Sequence, residues 1–154
     1  MPDLIHPDSP QLWQMARELV REYAASLNVD LGFQNFDEEL RHFEVEYAPP
    51  DGTFLLARNN DEYLACGAFR RFSATDCEMK RLYVRPSGRG LGLGRRIAVA
   101  LIGEAKSLGY GRMLLDTLPT MQSAQSLYKS LGFEATPPYR FNPIEGTSFL
   151  GLDL

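Results

Sequence analysis

A chain of 154 residues, 44% hydrophobic and 23% charged, is long enough to bury a core of its own as one domain spanning residues 1–154. Its net charge of −4 argues against a general nucleic-acid-binding surface, and no apolar run approaches the roughly 20 residues that a membrane helix needs. The start, Met1-Pro2-Asp3-Leu4-Ile5, lacks the basic then apolar character of an export signal; two cysteines make no disulfide framework, and His6 and His42 lack metal-ligand spacing, so a metal-free protein of the reducing cytoplasm is expected.

Residues 2–6 read as a short first strand. Ser9-Pro10 is a helix start, Ser as N-cap and Pro in the first turn. Leu12, Met15, Ala16, Leu19, Val20, Tyr23 and Leu27 follow at helical spacing. Asp37 is placed to cap a second, short helix through Phe43. Pro49-Pro50-Asp51-Gly52 is a turn. Residues 53–58 and 63–72 read as strands around Asn59-Asn60-Asp61, and residues 77–85 as a third strand of this group, ended by Pro86. A helix over residues 97–108 stops at Gly109. Residues 112–117 form a buried-type strand, 119–130 a helix with Ala124, Leu127, Tyr128 and Leu131 on one face, and 131–134 and 147–152 the start of one strand and a last alternating one. The order predicts a mixed α/β domain, antiparallel strands first and a helical crossover in the middle.

Charge is unevenly spread. From Lys80 to Arg96 there are six bases and no acid; from Asp30 to Glu62 there are nine acids and two bases, Arg41 and Arg58. A basic centre beside an acidic flank suits a polyanionic ligand held against a cationic one, although an acidic run is also an ordinary solvated face.

The most informative stretch is Arg89-Gly90-Leu91-Gly92-Leu93-Gly94-Arg95-Arg96, between a strand and a helix N-terminus. Such a turn gathers backbone N–H groups and the positive end of the helix dipole at one point, which favours phosphate. The spacing is not G-x-G-x-x-G: Leu93, Arg95 and Ile97 stand where the third glycine would fall in the three registers. No Gly-Lys pair occurs, so it is not a P-loop either. Arg89, Arg95 and Arg96 are placed to reach phosphate oxygens, and positive charge at a helix N-terminus is easier to understand if an anion binds there.

Arg89 to Gly94 fits R/Q-x-x-G-x-G/A and resembles the pyrophosphate loop of the GNAT superfamily of acyl-CoA-dependent N-acyltransferases. Glu78-Met79-Lys80-Arg81-Leu82-Tyr83-Val84-Arg85-Pro86 resembles the fourth strand of that fold. Ala124-x-x-Leu127-Tyr128-x-x-x-Gly132-Phe133 resembles its fourth helix and the turn after it. The three motifs come in order, and the resemblance covers the whole chain. It implies a single GNAT-like domain, a mixed, mostly antiparallel sheet flanked by helices. It implies acetyl-CoA as cosubstrate and no metal, with a primary amine of a small or amino-acid-like molecule as acceptor. It leaves open a protein lysine or N-terminal acceptor, a non-catalytic acyl-CoA sensor, and a homodimer.

Carried residue by residue, the resemblance assigns cofactor binding to Leu82, Tyr83, Val84, Arg89, Gly90, Leu91, Gly92, Leu93, Gly94 and Arg95. Many members have an Asn seven residues before the helix Tyr; here that position is Met121, with Gln122 or Ser123 as substitutes. Glu78 takes the place of a general base, which helps because an amine with a lysine-like pKa near 10.4 is mostly protonated at pH 7. Period-2 counting puts Glu78 on the side of Lys80, Leu82 and Val84 unless a bulge intervenes. Tyr128 takes the place of the proton donor to the departing thiolate. The Pro-rich connection over residues 137–143 borders the acceptor site in such folds, making Tyr139 and Asn142 candidate substrate contacts.

Overall fold

The computed structural model describes residues 2–27 and 36–154. One seven-stranded sheet organises them: β1 (Asp3–Ile5), β2 (Thr53–Asn59), β3 (Glu62–Arg71), β4 (Asp76–Val84), β5 (Arg112–Thr117), β6 (Glu134–Ala135) and β7 (Ser148–Asp153). The order across the sheet is β1-β2-β3-β4-β5-β7-β6. Only the β4–β5 pairing is parallel. Helices α1 (Pro10–Ser26), α2 (Phe36–Arg41) and α3 (Phe43–Glu46) precede β2; α4 (Leu93–Ser107) crosses from β4 to β5, and α5 (Gln122–Ser130) follows β5.

Local chemistry accounts for most of these boundaries. Ser9 is extended, and its hydroxyl accepts from the Leu12 N–H at 3.2 Å, with Pro10 in the first turn of α1. Gly109, in the left-handed region at φ 89°, follows α4. The helix expected from residue 119 starts instead at Gln122, because residues 118–121 close a turn through Met121 N–H to Leu118 O at 3.0 Å. The single short helix expected through Phe43 is two, broken at His42, and α3 is an element the periodicity did not expose.

Each face of the sheet carries its own core. Leu55 and Ala57 of β2 pack on one side with Ile97, Ala98 and Leu101 of α4. Phe54 and Leu56 pack on the other with Leu19 and Val20 of α1 and Phe43 and Tyr47. Alternate residues of one strand thus enter two cores, so central strands read as continuous apolar runs. Both cysteines are buried and free, Cys66 in the α1-side core and Cys77 in the α4-side core.

Two irregularities in β4 shape the site. Pairing with β5 covers only Asp76 to Glu78 against Arg112 to Leu114, after which the parallel ladder stops and a wedge opens. Opposite β3, Lys80 pairs with Ala68 and Tyr83 with Cys66, so Arg81 and Leu82 together face Gly67. This is a bulge, and Arg81 takes φ 62°, left-handed for a residue that is not glycine. The bulge overturns the period-2 expectation. Cys77 and Met79 belong to the α4-side core, and Leu82 and Val84 pack against that same core. Tyr83, on the other side, packs against the α1-side core. Glu78 therefore does not share a face with Leu82 and Val84, because the extra residue reverses the alternation.

Candidate active site

A groove of about 900 Å³ runs from the glycine turn along α5 into the wedge. Of the residues expected to bind cofactor, Leu82, Tyr83, Val84, Arg89, Gly90, Gly92, Leu93, Gly94 and Ser123 line it. Gly90 and Gly92 have φ 83° and 70°, and a Cβ added to either would meet no protein atom within 4 Å. Their main chain is thus bare toward the groove. Gly92 caps α4 without a side-chain hydrogen bond, so the first N–H groups of that helix have no partner within the helix and are available to an anion.

Three expected contacts do not line the groove. Leu91 is half exposed, Gln122 is exposed at the start of α5, and Arg95 turns along the helices to donate to Ser130 Oγ at 3.0 Å. Arg96 is likewise spent, donating to Pro2 O at 2.9 Å. A helix presents only part of its first turn to any one ligand, which residue spacing in the loop did not resolve. Wall residues without a sequence signal include Tyr23, Ser26 and Leu27, contributed by α1 and the residue after it. Met121, at the position where many relatives have Asn, also lines the groove.

At its inner end the wedge narrows to a pocket of about 50 Å³ whose wall includes Lys80, Arg81, Leu82, Asp116, Met121 and Tyr128. Tyr128 is buried, edge-on to Phe133 at 5.7 Å. Burial, then the nearby Tyr23 and Asp116, push its pKa well above the ordinary 10. Its O–H therefore stays protonated at neutral pH. Lys80 is pushed down to about 7, first by burial and then by Arg81, against the opposing charge of Glu78.

The face toward α1 and α2 is held by ion pairs. Arg81 donates to both carboxylate oxygens of Glu39 on α2, Nε to Oε2 at 2.9 Å and Nη2 to Oε1 at 3.0 Å, both residues being buried. Burial raises the Glu39 pKa, but the charge and hydrogen bonds of Arg81 outweigh it and leave it below 4.5. This bidentate pair ties the left-handed bulge to α2. Much of the acidic flank is spent in the same way: Glu38 on Arg41, Glu44 on Arg17, Glu46 on Arg70 and Asp51 on Arg71. Its first member, Asp30, lies outside the described residues.

Glu78, expected as the general base, lines neither the groove nor the pocket. It is fully buried. Oε2 accepts from the Tyr139 hydroxyl at 2.8 Å, Oε1 from Arg140 Nη2 at 2.6 Å, and Arg70 Nε stands 3.4 Å from Oε1. Both of its oxygens are thus engaged, and no part of it is presented to the groove. Tyr139 is correspondingly a partner of Glu78, its ring set edge-on to Phe72 and Phe149. Asn142 does reach a small recess, which it lines together with Arg81 and Asp116.

A long groove that begins at bare helix-terminal N–H groups and ends between splayed parallel strands suits a substrate with a phosphate head, an extended arm and a reactive end at the sheet. Residues 13–133 match the model of the acetyltransferase (GNAT) family. An uncharacterized N-acetyltransferase of Schizosaccharomyces pombe is 44% identical over 149 residues, covering 94% of this chain and 90% of the relative. The chain belongs to the GNAT family and is an acyl-CoA-dependent N-acyltransferase. Its fold is that of an acetyltransferase of Streptococcus agalactiae, with TM-score 0.80 at 18% identity, covering 99% of this chain and 98% of the other. An acetyltransferase of Salmonella typhimurium, solved with acetyl-CoA, superimposes with TM-score 0.67 at 22% identity, covering 99% and 93%.

Proposed function

We propose that this protein transfers the acetyl group of acetyl-CoA to the primary amine of a small, amino-acid-like acceptor. The observation that carries the reading is the continuous groove from Gly90 and Gly92 to the wedge at Leu82. The bare glycine main chain and the α4 N-terminus fit a pyrophosphate, and the groove beside Ser123, Ala124 and Leu127 fits an uncharged arm. Acetyl-CoA supplies an acyl carbon activated by a thiol leaving group. The chain's own part is to hold that carbon at the bulge of β4, where main-chain N–H groups near Leu82 to Val84 polarise its carbonyl oxygen. Tyr128 donates a proton to the departing thiolate, consistent with a phenol kept un-ionised by burial.

A small acceptor is favoured by the loop over residues 137–143. Tyr139 and Arg140 pin it to Glu78, and among the described residues the recess that Asn142 lines beside Asp116 is small. Glu78 is assigned here to holding that loop. The reading is tested by mass spectrometry of co-purified ligand, followed by a panel of amines with acetyl-CoA and detection of released thiol. Turnover of free amino compounds is expected. Thiol release with peptides alone would move the acceptor to protein, and CoA binding without turnover on any amine would make the chain a sensor.

A further inference from the structure

We propose that Asp116, held in place by Asn142, receives the amino group of the acceptor, which is therefore an amine that is cationic in water. The inference rests on the acetyl-transfer reading above and names the group that selects its acceptor.

Asp116 stands next to last in β5, on the opposite wall of the wedge from Leu82. It lines both the narrow pocket that contains Tyr128 and the adjoining recess that contains Asn142. It is partly exposed, whereas Glu78 is sealed. Its Oδ2 accepts from Asn142 Nδ2 at 3.2 Å, and Asn142 Oδ1 accepts from the Ile144 N–H at 2.9 Å. The amide is thus fixed at both ends and orients the carboxylate. The other acids near the wedge, Glu39 and Glu78, are committed to arginines. Among the described residues, Asp116 is the carboxylate that lines the pocket and is bound by a neutral group. Of the cations that share its recesses, Arg81 is taken by Glu39, and Lys80 is pushed down to about 7 and so carries less charge as pH rises. The negative charge of Asp116 contributes to the raised pKa of Tyr23, Tyr128 and Tyr139, which places it within electrostatic reach of the whole inner site. A partly buried carboxylate lining a narrow pocket holds an ammonium more strongly than one in water. Bound there, the amine nitrogen faces the β4 wall that carries the thioester in the proposed reaction, and it attacks as the free amine once one ammonium proton has left to solvent.

The test is steady-state kinetics with the best amine from the panel. Asp116→Asn keeps size and removes the charge. It is expected to raise KM for the amine about 10-fold or more, with acetyl-CoA affinity changed less than about twofold. Asn142→Ala should raise the same KM less, and adding it to Asp116→Asn should raise KM no further, because the two act as one unit. A readout on the unaltered enzyme guards against a variant that fails to fold: the hydroxyl isostere of the amine should inhibit at least about 10-fold more weakly than a competing cationic amine binds. A folded Asp116→Asn enzyme with unchanged amine KM, or equal binding of the hydroxyl and amino compounds, overturns the assignment while leaving acetyl transfer standing. A wild-type enzyme that acetylates no amine overturns the reading beneath it.

Discussion

Toward α4 and α5 the site is walled by main chain, glycine and apolar side chains, with Gly90, Gly92, Val84 and Leu127 along the groove. Toward α1 and α2 the same strand, β4, is backed by buried ion pairs: Arg81 with Glu39, and Glu78 with Arg70 and Arg140. A cosubstrate recognised through phosphates and an amide-bearing arm needs backbone donors and bare space, which a glycine turn supplies. An acceptor recognised by charge needs a side chain whose charge is left over once the neighbouring buried ions have been paired, because an uncompensated buried ion is costly. The bulge at Arg81 joins the two sides: it turns Leu82 and Val84 toward the groove and sends the Arg81 guanidinium to α2.

The most severe way to break this contrast is Glu39→Gln. It leaves the buried Arg81 without its counter-charge and should cost about 3–5 kcal/mol of stability by denaturant unfolding. The pH dependence follows from the lowered Glu39 pKa. The pair's contribution is present above the ordinary carboxylate value of 4.5 and is lost as pH falls through the lower folded value. The wild-type advantage over Glu39→Gln should therefore shrink in acid.

Lys80→Met sharpens the electrostatic side in the opposite sense. Lys80 titrates at about 7 when folded against an ordinary 10.5. Its buried charge burdens the wild type below pH 7, and the burden is relieved as pH rises from 7 to 10.5, where the unfolded chain holds more protons than the folded one. Stability of Lys80→Met relative to wild type should be greatest near pH 6 and fall through that window. A constant difference from pH 6 to 10 would mean that Lys80 titrates normally.

Gly92→Val probes the backbone side. The added Cβ meets no protein atom within 4 Å, but φ is 70°, so the fold should lose about 1–2 kcal/mol. CoA affinity measured by calorimetry should drop about 10-fold or more, because the side chain enters the groove rather than the core. Equal affinities in two folded proteins would remove the glycine turn from phosphate recognition.

The smallest expected change is Tyr128→Phe, which removes one oxygen. Loss of the proton donor should lower kcat by about 10-fold while acetyl-CoA affinity changes less. The loss should shrink with an acyl donor whose leaving group needs no protonation. Loss of stability and activity together would make Tyr128 a packing residue against Phe133.

Features legible in the chain alone were those that one segment builds. The cap at Ser9, the stop at Gly109, strand β5 and the glycine turn depend on backbone preferences within a few residues, so their sequences carry them. The family motifs singled out Tyr128, which lines the narrow inner pocket. The acceptor side was not legible, because its partners are joined only by topology: Glu39 meets Arg81 across 42 positions, and Glu78 meets Arg140 across 62. Nothing in the composition of residues 37–62 distinguished acids that face solvent from acids already paired. One inserted residue at Arg81 then reversed the alternation on which the facing of Glu78 had been counted. Asp116 carries no signal of its own in a strand that otherwise reads as buried; only the departure of β4 from β5 opens the pocket it lines. Local sequence therefore determined where main chain is bare for the cosubstrate, and the splay of the sheet decided which charges remain for the acceptor.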